Sequence, residues 1–70
     1  MSYEYVSRAR KDSSESVRVM EALTSRGLKP VAVVWKPETG SVVIHFDAVL
    51  TPEDKERVDK VMRALGYMVG

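Results

Sequence analysis

The chain of 70 residues contains no cysteine, no asparagine and no glutamine. Without cysteine there is no disulfide framework, no thiolate nucleophile and no cysteine-based zinc site. Asn, Gln and Cys are also the thermolabile residues that proteins of hot environments avoid, so the composition points to a thermostable chain, whether by source or by engineering. A single histidine leaves no partner for a histidine metal site. No apolar run approaches the roughly 20 residues of a membrane span, and no apolar stretch follows a basic one at the start. A soluble, cytoplasmic protein without a signal peptide is expected. Gly-rich phosphate loops are absent as well.

What is present is a globular composition, with 44% hydrophobic and 30% charged residues. Seventy residues make one domain, close to the size at which a single core becomes marginal. Net charge is only +1, and it is unevenly spread. Residues 1–36 hold seven basic and four acidic side chains, and residues 37–70 hold four and six. Such a balance by itself implies no polyanionic partner.

The strongest local signal is a β-hairpin over residues 31–46. Two β-branched runs flank Pro37-Glu38-Thr39-Gly40, in which Pro37 presets the first turn position and Gly40 can close a four-residue loop. That loop pairs Lys36 with Ser41. Alternation then sets Trp35 against Val42, Val33 against Ile44 and Val31 against Phe46 on one apolar face. The other face carries Lys36/Ser41, Val34/Val43 and Ala32/His45. A one-residue slip would mix the two sets, so the pattern specifies its own register.

Residues 12–26 are expected to form a helix. Asp12 and Glu15 have capping-box spacing, with Ser13 or Ser14 as alternative caps. Val19, Met20 and Leu23 form its inward stripe, while Arg18, Glu21, Ala22 and Ser25 point outward. Gly27 ends it, and Leu28 can fold back on Leu23 as in a Schellman motif. A second helix over residues 51–65 has Thr51 as N-cap, Pro52 at the first helical position, and Glu53 and Asp54 on the positive end of the dipole. Val58, Val61, Met62 and Leu65 make its buried stripe, and Glu53–Arg57, Glu56–Lys60 and Asp59–Arg63 are spaced as surface ion pairs.

Tyr3, Tyr5, Ser7 and Ala9 alternate with Glu4, Val6, Arg8 and Arg10, which reads as a first strand, with a frayed terminus as the competing reading. Tyr67-Met68-Val69 is long enough for a last one. The order is then β-α-β-β-α-β, an α+β domain of the ferredoxin-like kind, an antiparallel sheet with two helices on one face. The recurrence of Val19-Met20-Glu21-Ala22-Leu23 as Val61-Met62-Arg63-Ala64-Leu65 agrees with it. An α-β-β-α arrangement with a disordered start is the runner-up. The expected core comprises Val19, Met20, Leu23, Val31, Val33, Trp35, Val42, Ile44, Phe46, Val58, Val61, Met62 and Leu65.

No catalytic centre, cofactor or metal is expected. Ser41, His45 and Asp47 share a strand face, but Ser41 and His45 lie about 13 Å apart at ~3.3 Å per residue, too far for a nucleophile and its base. An acylphosphatase-like site wants an Asn, and a copper-chaperone-like site wants Cys-x-x-Cys; the chain has neither. Two binding readings remain. The face opposite the helices has no cover within the chain, and Ala32, Val34, Val43, His45 and Val6 would form an interface there for a homodimer or another protein. The alternative is nucleic acid, held by Arg8, Arg10, Lys11 and Lys36.

Overall fold

Tyr3 and Tyr5 alternate with Glu4 and Val6, and this period-two pattern builds the first strand, β1 (Ser2–Ser7), of a computed structural model that describes residues 1–9 and 11–69. Helix α1 (Glu15–Ser25) follows, then the hairpin β2 (Ala32–Lys36) and β3 (Ser41–His45), helix α2 (Pro52–Ala64), and a short β4 (Tyr67–Met68). The four strands form one antiparallel sheet in the order β2-β3-β1-β4. Both helices cover the same face, α1 over the β2 side and α2 over the β4 side. This is the β-α-β-β-α-β domain expected from the sequence, with a strand at its start.

The hairpin has the register that alternation dictates, with Lys36 opposite Ser41, Trp35 opposite Val42 and Val33 opposite Ile44. Gly40 closes the turn at φ 63°. The helix ends follow their local chemistry. At the end of α1 the Leu28 amide donates to the Leu23 carbonyl at 3.0 Å, and the Gly27 amide to the Thr24 carbonyl at 3.0 Å, with Gly27 at φ 81°. That is the full Schellman pair, and it buries Leu28 in the core. At the start of α2 the Thr51 hydroxyl accepts the Asp54 amide at 3.2 Å behind Pro52.

The start of α1 departs from expectation. Asp12 and Glu15 do not close a capping box. Asp12 Oδ1 instead accepts the Ser14 amide at 2.9 Å, an Asx-type turn, and Ser14 occupies the cap position with its hydroxyl donated to Asp12 and none of the helix amides capped by its side chain. Glu15 is drawn inward, where Tyr67 donates its hydroxyl to it at 2.8 Å. A buried acceptor for a buried phenol outweighs a solvent-exposed cap bond.

The core is Tyr5, Val19, Leu23, Leu28, Val42, Ile44, Phe46, Val58, Val61, Met62 and Tyr67. Its weight lies under the central strands β3 and β1, and three expected members sit on its rim. Val33, Trp35 and Leu65 are partly buried against it, as is Ala22, which was expected to point outward. Met20 is half-buried. Val31 is no core residue: it lies just outside β2 and is 64% exposed. The register slips there: the Val31 amide donates at 2.7 Å to the His45 carbonyl, which already stands opposite Ala32, so Val31 does not face Phe46, and β2 has no further strand beside it. The surface pairs on α2 are also others than expected, Lys55–Asp59 and Asp54–Arg57. Truncation should follow this map. Ile44→Ala should cost about 2–5 kcal/mol and Val31→Ala less than about 0.5 kcal/mol in denaturant unfolding.

Candidate functional site

Alternation along three strands places Ala32, Val34 and Lys36 of β2, Ser41, Val43 and His45 of β3, and Ser2, Glu4 and Val6 of β1 on the face away from the helices. The five expected interface residues are therefore brought onto one surface. Val34 is 47% exposed and Val6 38%, while Ala32, Val43 and His45 are half-buried by their neighbours. Met68, opposite Val6 on β4, extends the apolar strip and is 47% exposed. Sequence reading passed over Met68. The alternation of Tyr67 and Met68 carried the signal, but two residues are too short a run to fix a face.

The strip is not purely apolar. Glu4 stands opposite Val43 at its centre, accepts the Ser41 hydroxyl at 2.7 Å and pairs with Lys36 at 3.9 Å. Thr39 and Ser41 hydroxyls meet at 2.6 Å beside it. Glu4–Lys36 is exposed on both sides, so it contributes little to stability. Its effect is to give the face a polar pin that any partner must match.

Ser41, His45 and Asp47 are not assembled into a catalytic group. Ser41 is engaged with Glu4 and Thr39, His45 Nδ1 lies 2.8 Å from the Ser2 hydroxyl, and Asp47 is exposed beyond the strand. Among the described residues no cluster of three His, Cys, Asp or Glu is placed to hold a metal ion. The basic residues of the nucleic-acid reading are dispersed. Arg8 is exposed, Lys36 leans on Glu4, and Arg10 lies outside the described residues. The Lys11 ammonium sits over the Tyr67 ring at 5.5 Å and 3.6 Å from Glu15, and its side chain is only 14% exposed. Tyr3 and Tyr5 face the helices, so the described residues offer no aromatic platform on the open face.

Lys11 belongs to one of two similar clamps beneath the helices. In the first, Lys11 and Arg18 flank Glu15, which takes the Tyr67 hydroxyl. In the second, Asp59 accepts both Lys55 and the Tyr5 hydroxyl at 2.6 Å, and Lys55 lies over the Tyr5 ring at 5.4 Å. Each ties one helix to a strand through a lysine, a carboxylate four residues on, and a tyrosine. Burial, then the bond to an anionic carboxylate, pushes both phenols above their ordinary range. Burial pulls Asp59 upward, but the bonds from Lys55 and Tyr5 outweigh it and, with Arg63 adding, hold it below the usual carboxylate range. Both phenols are hydrogen-bond donors to a carboxylate. They fasten the fold; neither offers a nucleophile.

An open groove of about 390 Å³ lies at one end, between the segment that follows α1, the connection from β3 and the start of α2. Leu28, Phe46 and Val49 line it together with Lys29, Asp54 and Arg57. Arg57 is already held by Asp54 at 3.4 Å and by the Arg26 carbonyl. Among the described residues no buried side-chain polar atom lacks a partner.

Comparison with protein-family models, with curated proteins and with solved structures finds no match.

Tyr5, Tyr67 and Asp59 of the clamps contribute to the pH dependence of stability. A phenol raised in the folded state contributes fully below about pH 10 and loses its contribution as pH rises through the folded value. A carboxyl lowered in the folded state contributes above about pH 4 and is lost as pH falls through its folded value. Tyr5→Phe should cost about 1–3 kcal/mol at pH 7. In denaturant unfolding at stepped pH, the difference from wild type should shrink above about pH 10, where unfolded Tyr5 ionises.

Proposed function

We propose that this chain is a non-enzymatic interaction module that works through the open face of its sheet, by self-association or by docking another protein surface. The observation that carries this reading is the apolar strip on that face. Val6, Val34 and Met68 remain exposed there beside Val43 and Ala32, while both helices lie on the other side. A contiguous apolar surface of this kind on a small domain is a feature of interaction sites. Burial at ~25 cal/mol per Å² rewards its removal from water, and the Glu4–Lys36 pin sets orientation.

The nucleic-acid reading lacks a comparable support. Of its four basic residues Lys11 is turned inward and Lys36 lies beside Glu4. A thermostable chain is consistent with the same proposal, since association stabilises a small domain by mass action.

Light scattering over a concentration range tests the face. Mass should rise above that of the monomer, and Val6→Glu should weaken the association at least tenfold, because it sets a second carboxylate beside Glu4. A strict monomer, or association indifferent to Val6→Glu, removes the face from self-association.

A further inference from the structure

A single open face is small. Four strands about 4.8 Å apart and five residues of ~3.3 Å each give it a plan area of about 300 Å². Two such faces pressed together cover about 600 Å² in plan, a small footprint beside stable interfaces, which bury ~1,200 Å² or more of accessible surface. The sheet has a second unpaired surface, its edges. β4 has two residues and can template little, but β2 has five in unbroken register with β3. Edge strands are ordinarily guarded by proline, by inward charge or by a bulge. Pro30 and Pro37 lie outside β2, Lys36 at its last position is the only charge on it, and the ladder with β3 is unbroken from Ala32 to Lys36, slipping by one residue only at Val31, whose amide donates to the His45 carbonyl.

We infer that two copies of this chain join antiparallel at their β2 edges, forming one eight-stranded sheet. The inference rests on the self-association proposed above but assigns it a surface of its own. A two-fold axis at Val34 keeps every side chain on its proper face. Val34 then meets Val34 of the second copy on the open side. Trp35 meets Val33 of the second copy on the helix side, which completes the burial that α1 leaves unfinished at the edge. Ala32 faces Lys36 of the second copy, so no like charges oppose. The basic Lys29 end of each β2 lies beside the acidic Glu38 turn of the other. The joined sheet also lays two open faces side by side, which doubles the footprint of a face-to-face contact between such pairs.

Charge variants at Ala32 and the emission of the lone tryptophan test this. Lysine at position 32 would oppose Lys36 of the second copy twice per dimer, whereas glutamate would pair with it. Ala32→Lys should weaken association at least tenfold, and Ala32→Glu should leave it intact or tighten it. Trp35 emission should shift to the blue between micromolar and millimolar chain. Trp35 lies on the helix side, so contact through the open face leaves its emission unchanged. Equal weakening by both Ala32 variants, or a Trp35 emission independent of concentration, overturns the edge pairing. Indifference to Val6→Glu with opposite effects of the Ala32 pair retains the edge and discards the face.

Discussion

Two helices of 11 and 13 residues are enough to cover one face of a four-stranded sheet and no more. Everything distinctive in this molecule depends on that limit of cover. On the covered side the central strands bury Val42 and Ile44 completely, and the helices answer with Val19, Leu23, Val58 and Met62. Toward the β2 edge the cover thins, so Trp35 and Val33 are only partly buried and Val31 is left in water. On the uncovered side, side chains that alternation forces outward include valines and a methionine. The same rule that builds the core therefore builds an apolar outer surface.

The clamps show how a small core is supplemented. Tyr5 and Tyr67 deliver large apolar rings to the core and still satisfy their hydroxyls, because Asp59 and Glu15 reach inward from the helices. Lysines four residues earlier neutralise both carboxylates and lie against the rings. A buried carboxylate without such partners would be costly, and a phenol without an acceptor would be too. Each clamp links residues more than fifty positions apart, so it fixes tertiary structure and not merely a helix end.

Where the determinants are local, the sequence was readable residue by residue. Gly27 followed by Leu28, Thr51 followed by Pro52, and the Pro37–Gly40 turn each act within a few positions, and each element ends where they place it. The membership of the open face followed from period-two alternation once the hairpin register was set. What escaped was set by strand order and distant pairing. Nothing near Val31 announces that β2 is an edge, and nothing near Glu15 announces Tyr67. Asp12 and Glu15 have capping-box spacing, yet the partner 52 residues away takes Glu15. Lys11 read as a surface cation for the same reason, since its ring and its carboxylate become neighbours only in the folded sheet.

The proposed self-association requires that the domain be more stable when a second copy supplies cover that its own chain does not. The thermal unfolding midpoint, followed over a wide range of chain concentration, measures this directly. The midpoint should climb as concentration rises, because copies that associate only when folded withdraw chains from the unfolded pool. A midpoint that stays constant from dilute to concentrated solution would show that the open face and the β2 edge are simply wet, and would contradict self-association through either.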